Sequence, residues 1–258
     1  MKGAIWAQAL LENARAVPGF PPSVIVLDGT IAHLAYRAIS ILPNASARFP
    51  RARNGEFGLD EGLAVAEAVR GASGDSAILS IVDVPGQAFG RREEAAGLHL
   101  SLAVAVESYV EERRRGRPIF ALIVGKAISG AFLAHGMQAG WIGALSDGDV
   151  EIHVMPAASV ARVTRSTDDE VARIASVVPA TARDVATFAA FGALDALFDV
   201  IDSRAPAPAE IEQVRAAIDQ ARREGLGTRA PADRLRRPPA AARRALALDV
   251  RRRIDEAW

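Results

Sequence analysis

The sequence predicts an α/β fold with a largely parallel sheet, and two observations support this prediction. Short apolar runs rich in Val and Ile recur along the chain, as is typical of strands buried on both faces. Helical patterns separate these runs, as expected for β-α-β units. The predicted strands are 23–28, 77–84, 118–125 and 141–145, and the predicted helices are 59–71, 92–115 and one starting near Ser129.

The long helix predicted over 92–115 has charges suited to both of its ends. Glu93 and Glu94 lie in its first turn, and the arginines 113–115 lie in its last turn, before Gly116. Acidic groups near a helix N-terminus and basic groups near its C-terminus are favourable with respect to the helix dipole. These charges therefore have a structural explanation.

Composition excludes several classes of function. The 258 residues carry a formal net charge of zero, so no overall field indicates a nucleic-acid or membrane partner. The absence of cysteine excludes disulfides and thiolate nucleophiles, and the four histidines lack the usual spacing of metal ligands. Without an uncharged apolar stretch of about 18 residues, and with Glu12 close to the N-terminus, we expect a cytoplasmic protein.

The charge is distributed unequally along the chain. Residues 203–258 contain 13 Arg against 8 Asp and Glu, a net charge of +5, which leaves −5 for residues 1–202. A Pro/Ala-rich stretch, SRAPAPAE, opens this basic part. We therefore predict two parts, an α/β domain over 1–202 and a basic helical C-terminal extension over 203–258. The extension either binds an acidic partner such as a carrier protein or is a solvated helical face.

A glycine-containing turn, GKAISGAFLAHG (125–136), follows the strand predicted at 118–125. A P-loop requires Lys and then Ser or Thr directly after its second glycine. Here Ala131 and Phe132 follow Gly130, so the residues that bind phosphate and metal in a P-loop are missing. The turn is therefore not predicted to bind a nucleotide.

A second turn of this kind, VPGQAFG (84–90), follows the strand predicted at 77–84. In an open α/β sheet, ligands bind at the carboxyl ends of strands, where glycine lets the backbone approach a ligand closely. Amides of Gly86 or Gln87 and of Gly130 or Ala131 are therefore predicted to form an oxyanion hole, in which each donor typically lowers a barrier by about 3 to 4 kcal/mol. Alternatively, the glycines serve only tight turns and helix packing.

Two sequence stretches resemble the carboxyltransferase branch of the crotonase-like enzymes. In that branch a D-x-P-G-F-x-x-G motif precedes a K-A-x-G-G-A-Y motif, and here DVPGQAFGRREEAAG (83–97) precedes RPIFALIVGKAISGAFLAHG (117–136). Gln87 stands where the carboxyltransferases usually have Phe, and Ile128 and Ser129 also differ. With RFPRARNGEFGLDEG (48–62) and VMPAASVARVT (154–164), these departures are more similar to gamma subunits of biotin-independent malonate decarboxylase.

This resemblance implies a fold of stacked ββα units around a spiral core. It also implies a subunit that acts with a homologous beta subunit, an acyl carrier protein and the transferase subunit that serves the carrier. The complexes of this family decarboxylate a malonyl thioester carried on the phosphopantetheine-type group of the carrier, so no directly bound cofactor is expected. The enolate formed in that reaction can be stabilised by backbone amides without a metal or a nucleophile. The resemblance leaves two arrangements open. The thioester oxygen lies either at the amides of this subunit or at those of its partner, and in the second case this subunit holds the departing carboxylate.

Two alternatives remain open beside this implied function. The first is a subunit of a biotin-dependent acyl-CoA carboxyltransferase, in which the same amides would polarise the ureido oxygen of biotin. The second is a non-catalytic scaffold whose basic C-terminal extension docks the carrier protein.

Side chains near the two turns are candidates for binding. Ser129 and Gln87 are predicted to hydrogen-bond the substrate carboxylate, and Lys126 is predicted to attract that carboxylate or the phosphate of the prosthetic group. His135 is predicted to bind substrate or to move a proton. In the basic loop that contains Arg48, the side chains of Arg51 and Arg53 are predicted to contact phosphates of the prosthetic group or a facing subunit. Packing for His135 and solvent exposure for the cations are the structural alternatives.

Overall fold

The chain forms a mixed sheet flanked by helices. The computed structural model describes residues 1–178, 181, 183–236 and 245–258. The strands are β1 (Glu12–Ala16), β2 (Val24–Ile31), β3 (Leu34–Ile41), β4 (Ala77–Val84), β5 (Ile119–Ile128), β6 (Trp141–Ser146), β7 (Glu151–His153) and β8 (Ala196–Asp199). The helices are α1 (Lys2–Leu10), α2 (Leu59–Arg70), α3 (Arg91–Ala95), α4 (Leu98–Arg114), α5 (Ser129–His135), α6 (Ala157–Thr164), α7 (Asp168–Val177), α8 (Val185–Ala190), α9 (Pro208–Arg223) and α10 (Ala245–Ala257).

The sheet is antiparallel at one edge and parallel elsewhere. Its order is β1-β2-β3-β4-β5-β6-β8, and β7 pairs with β5 beside this path. Strands β1, β2 and β3 form antiparallel pairs, whereas every pairing from β3 to β8 is parallel. The prediction of a largely parallel sheet is confirmed, and all four predicted strands are present.

Four strands have no clear signal in the sequence. Strands β7 and β8 contain only three and four residues, and β1 is polar. Strand β3 contains Arg37, which is buried because its guanidinium donates two hydrogen bonds of 2.7 Å to the carboxylate of Asp28 on β2. An apolar run is therefore not required for this central strand, since the ion pair compensates the buried charge.

Strand β5 pairs with two different neighbours on the same side. Its first half, at 120–123, pairs with β6, and its second half, at 126–128, pairs with β7. The register between β4 and β5 also shifts between Val82 and Val84. The sheet therefore changes direction just before the turn that follows β5.

The helix predicted over 92–115 is interrupted. Helix α3 ends at Ala95 and α4 begins at Leu98, with Gly97 between them at φ 93°. That left-handed conformation is favourable for glycine and breaks a right-handed helix. The prediction of one continuous helix here is wrong, although the helical content is correct.

The basic segment begins inside the packed domain. On α9, the side chains of Val214 and Ile218 are fully buried and belong to the same core as the sheet. Trp6 Nε1 donates a 2.9 Å hydrogen bond to the carbonyl of Ser203, and Arg215 donates to the carbonyl of Leu10. The boundary predicted between 202 and 203 therefore does not mark an end of packing.

Helix α10 differs from α9 in having no buried residue. Leu246, Val250 and Ile254 form an exposed apolar stripe on it, and its three arginines 251–253 are followed by Asp255 and Glu256. Among the described residues of the predicted extension, the helix that buries no residue is therefore Ala245–Ala257. No helix in the described part of the chain is long and apolar enough to cross a bilayer.

Candidate active site

The two glycine-containing turns lie against each other. Because β4 and β5 are adjacent and parallel, Val84 pairs with Ala127, and the turns that follow meet at one edge of the sheet. The Oε1 of Gln87 accepts a 3.1 Å hydrogen bond from the amide of Gly130. This contact joins the first turn directly to the second.

The first turn has a backbone shape that requires glycine. Gly86 has φ 131°, a backbone conformation that residues with a side chain rarely adopt. The carbonyl of Gly86 accepts from the amide of Phe57, whose own carbonyl accepts from the amide of Ala88. No hydrogen bond donated by the amides of Gly86 and Gln87 is found within the described residues. These two amides are therefore candidate donors to a ligand.

A carboxylate at the end of β4 fixes the second turn. The amide of Lys126 donates a 3.1 Å hydrogen bond to Oδ1 of Asp83. A Cβ on Gly125 would lie only 2.0 Å from the same oxygen, so a glycine is needed at this position. The close contact between Asp83 and the backbone of Gly125 and Lys126 therefore sets the distance between the two turns.

Ser129 begins α5 with a left-handed backbone at φ 58°. Such a conformation costs a residue other than glycine about 1 to 3 kcal/mol and often marks a functional site. Here it turns the chain sharply from β5 into α5. The first amides of α5 have no partners inside the helix, which makes them potential donors to a ligand.

Two cavities lie beside the second turn. The smaller one, of about 150 Å³, is lined by Ser129, Gly130, Leu133 and Met137, among others. The larger one, of about 330 Å³, lies between α6, α7 and α8 and has mostly apolar walls. Three residues line both cavities, namely His153, Val154 and Phe188. Together the cavities extend from the start of α5 to the α6–α7 hairpin.

His135 does not reach these cavities. It lies at the end of α5 and is fully buried, and its Nδ1 is 2.9 Å from the hydroxyl of Tyr109. That hydroxyl is also 2.9 Å from Oγ of Ser80. Burial lowers the pKa of His135 to about 4. The predicted contact with substrate is therefore corrected, because His135 is a neutral residue of the core.

The three predicted cations have different surroundings. Lys126 is exposed and pairs with Glu151 in the β5–β7 ladder. Arg51 is exposed near the first turn, since its Cγ would be 2.9 Å from a Cβ on Gly90. Arg53 points away, because its Nε donates to the carbonyl of Ala47. The structure thus brings Arg51 near the turns and leaves Arg53 in the preceding loop.

His153 was not predicted as a site residue. It is buried opposite Ile128 in the β5–β7 ladder, one position before the turn. Its Nε2 lies 3.2 Å from Oε2 of Glu151 and 3.0 Å from a guanidinium nitrogen of Arg183. Burial, the largest effect, lowers the pKa of His153. Only the short strand β7 places His153 here, and this strand has no clear sequence signal.

Within the described residues, no group of three or more His, Asp and Glu side chains is arranged to hold a metal ion. The polar groups at the two turns and the adjoining cavities are backbone amides, the imidazole of His153 and a few cations.

Comparisons with solved structures identify the fold. A malonate decarboxylase hetero-tetramer of Pseudomonas, solved with coenzyme A, contains a chain 40% identical to this one, with a TM-score of 0.89 over 100% of this chain and 99% of that chain. Transcarboxylase 12S is 18% identical, with a TM-score of 0.64 over 85% of this chain and 40% of that chain. The predicted crotonase-like fold is confirmed.

Sequence comparisons agree with the structural ones. The malonyl-S-ACP:biotin-protein carboxyltransferase MADD of Malonomonas rubra is 34% identical in an alignment 189 positions long, which covers 68% of this chain and 65% of that protein. The match therefore spans slightly less than two thirds of MADD. The family model for MdcE, the malonate decarboxylase gamma subunit, matches residues 52–258. The chain belongs to the family of malonate decarboxylase gamma subunits.

Proposed function

We propose that this chain, together with a beta-type subunit, decarboxylates a malonyl group carried as a thioester on an acyl carrier protein. The products are carbon dioxide and the acetyl thioester. The observation that supports this most directly is the contact between the side-chain oxygen of Gln87 and the amide of Gly130. This hydrogen bond lies where the two turns meet, and in it the amide of Gly130 donates to an uncharged carbonyl oxygen.

The carbonyl of Gln87 stands in for the thioester oxygen. Both are neutral sp² oxygens, and a bound thioester would displace the glutamine and accept from Gly130. When the bond to the carboxylate breaks, its electron pair forms an enolate whose charge lies mainly on that oxygen. The amide of Gly130 donates to this oxygen, together with the amide of Ala131 or with those of Gly86 and Gln87. These hydrogen bonds become stronger as negative charge develops on the oxygen, so they stabilise the transition state more than the ground state.

The remaining proton is supplied to the methylene carbon. Carbon dioxide leaves with no charge, and the enolate takes one proton from water or a side chain to give the acetyl group. His135 is not proposed as that donor, because it is neutral and enclosed in the core. Ser129 lines the smaller cavity and is proposed to hydrogen-bond the substrate.

Exposed apolar side chains around the site favour completion by a partner. Phe89 on the first turn is 70% exposed, Leu133 on α5 is 56% exposed, and Val154 after β7 is 78% exposed. Large apolar side chains clustered at the surface are typical of interfaces. The solved MdcD–MdcE hetero-dimer of Pseudomonas, in which a chain is 39% identical to this one, supports a beta-type partner here.

The carrier protein supplies the substrate in this proposal. Its phosphopantetheine-type group carries a phosphate, and we propose that Arg51, which is exposed beside the first turn, attracts that phosphate. The name of MADD, which includes malonyl-S-ACP, supports a carrier-bound substrate. We also propose a cytoplasmic complex that includes a transferase subunit for the carrier.

The proposed function is tested with the two-subunit complex. We expect co-expressed chain and beta-type subunit to release carbon dioxide from malonyl carrier protein, and neither subunit alone to do so. Omitting biotin and biotinyl carrier should leave the rate unchanged. A complex without activity under these conditions would overturn the proposal.

A carboxyltransferase is the second candidate function. It is favoured by the resemblance to MADD, whose name describes transfer of the carboxyl group to a biotin protein. In that case the same assay would produce acetyl carrier protein only when a biotinyl carrier is added. A scaffold role would instead leave turnover of a small malonyl thioester by the beta-type subunit independent of this chain.

A further inference from the structure

A second polar site lies within the cavities beside Gly130. We propose that His153 and Arg183 form a carboxylate-binding subsite that holds the carboxylate of the malonyl group while its thioester oxygen lies at Gly130. This inference rests on the proposed function and assigns two residues to substrate recognition. Packing alone does not explain why each of these side chains has a buried nitrogen without a hydrogen-bond partner among the described residues.

Both side chains present unused hydrogen-bond donors. The Nδ1 of His153 and the Nε of Arg183 are buried and have no hydrogen-bond partner within the described residues. His153 lines both cavities, and Arg183 lines the larger one. Buried donors without partners cost free energy, so two of them beside one cavity indicate a ligand that accepts hydrogen bonds.

The neighbours of His153 determine which nitrogen carries its proton. A guanidinium nitrogen of Arg183 lies 3.0 Å from Nε2, and a guanidinium can only donate. Oε2 of Glu151 lies 3.2 Å from the same nitrogen and could only accept from it, but this carboxylate also has the guanidinium of Arg183 at 3.5 Å. We therefore assign Nε2 as the acceptor in the shorter contact, with Arg183, which places the proton of the neutral imidazole on Nδ1. His153 thus offers an N–H donor beside the cavity.

The charge of this cluster favours an anion. Arg183 lies 3.5 Å from the carboxylate of Glu151, which faces Lys126 across the β5–β7 ladder. With neutral His153, these two cations and one carboxylate have a net charge of +1, and Asp147 and Asp184 line a different cavity with Glu151 and Arg183. A bound carboxylate would neutralise the charge of the groups beside His153, whereas a further cation would increase it.

Position along the sheet connects this subsite to the turn. His153 pairs with Ile128, and paired strands lie about 4.8 Å apart. Ser129 and Gly130 follow immediately and line the smaller cavity with His153. One methylene separates the two ends of a malonyl group, so this short spacing suits one substrate that contacts both positions.

Two substitutions of His153 separate the proposed donor from the structural contact. His153→Asn places an amide N–H near the position of Nδ1, whereas His153→Gln places its amide near Nε2. We expect His153→Gln to raise KM for malonyl carrier protein at least tenfold and to weaken binding of free malonate to the two-subunit complex by a similar factor. His153→Asn should change both by less than about threefold, because a hydrogen bond to a charged group is retained.

The acetyl product provides a matched ligand without the carboxylate. In His153→Gln, the inhibition constant of acetyl carrier protein should remain within about twofold of the wild type. Equal behaviour of the two variants and the wild type, or a parallel loss of malonyl and acetyl binding, would overturn the subsite. If either His153 variant fails to fold, Arg183→Lys, which keeps the charge but loses the Nε donor, must show the same selective loss.

The malonate titration also separates this inference from the proposed function. It detects the subsite without turnover, so binding that depends on His153 in an inactive complex would reject decarboxylation and keep the subsite. An active wild-type complex whose malonate binding is insensitive to His153→Gln would reject the subsite and keep the function.

Discussion

The two ends of helix α5 lie in opposite environments, although the helix has only seven residues. At its N-terminus, Ser129 and Gly130 line a cavity and meet a glutamine from the neighbouring turn. At its C-terminus, His135 is enclosed in the core and bonded to Tyr109. Chemistry at the first end and stability at the second are therefore expected to respond to different substitutions.

The contrast between His135 and His153 extends this difference. Both are buried and both have a lowered pKa. Each also has one ring nitrogen without a hydrogen-bond partner among the described residues, Nε2 in His135 and Nδ1 in His153. Of the two, His153 lines the cavities beside the second turn. Neither burial nor an unpartnered nitrogen thus distinguishes a core histidine from a binding residue, whereas position at a cavity does.

The largest effect should come from the amide of Gly130. Gly130→Pro removes this donor, but proline also disfavours the left-handed backbone of Ser129 before it, so the fold of the variant is checked by circular dichroism. We expect kcat for malonyl carrier protein to fall about 100-fold, in line with the loss of one oxyanion donor. Gly130→Ala is the matched control, since it keeps the amide and its Cβ would lie 3.4 Å from Gln87. Similar kcat values for the two variants would mean that the amide of Gly130 does not contribute to catalysis. The N-terminus of α5 would then not differ from its C-terminus in the way described above.

Burial of His135 at the C-terminus of α5 should make the free energy of unfolding depend on pH. The pKa of His135 is about 4 in the folded chain and about 6.5 when unfolded, so the unfolded chain binds more protons between these values. The free energy of unfolding should therefore fall by about 3 kcal/mol as the pH decreases from 7 to 4. His135→Gln should flatten this part of the profile in urea titrations. An equally steep profile in the variant would mean that another group is responsible.

A smaller loss is expected for Tyr109→Phe. This change removes the hydroxyl that contacts both His135 and Ser80, and leaves buried polar atoms without a partner. The free energy of unfolding should decrease by about 1 to 2 kcal/mol. Decarboxylation measured well below the melting temperature should stay within about twofold of wild type. A tenfold loss of kcat at unchanged stability would mean that the buried C-terminus of α5 takes part in catalysis.

The smallest effect is expected at Ser129. Glycine accepts its φ of 58° without strain but gains freedom in the unfolded chain, so the two effects nearly cancel. Ser129→Gly should change the free energy of unfolding by less than about 1 kcal/mol, whereas Ser129→Val should cost clearly more because β-branched residues avoid this conformation. Equal stabilities of the two variants would show that the turn relaxes, and that its strain does not shape the site.

Sequence patterns predicted the parts of this molecule that depend on local order. The four apolar strands, the two glycine turns and their meeting at one sheet edge follow from hydrophobic periodicity and from the parallel arrangement of β4 and β5. The break at Gly97 was missed because glycine inside a helical pattern is often tolerated. The burial of α9 was missed because its arginines dominate the composition while Val214 and Ile218 face the core.

The site was predicted less completely, for a physical reason. Gln87 and Gly130 lie in turns that sequence marks clearly, whereas His153 is placed by a three-residue strand and Arg183 by the segment before α8. His135 looked suitable because it is close to Gly130 in sequence. Its side chain, however, points into the core, and this direction depends on tertiary packing.

The most direct measurement is a crystal structure of the chain and its beta-type partner with a malonyl thioester analogue that cannot lose carbon dioxide. The account predicts that the thioester oxygen of the analogue lies about 3 Å from the nitrogen of Gly130 and that the side chain of Gln87 has moved aside. A bound analogue whose oxygen lies elsewhere, with Gln87 still accepting from Gly130, would contradict it.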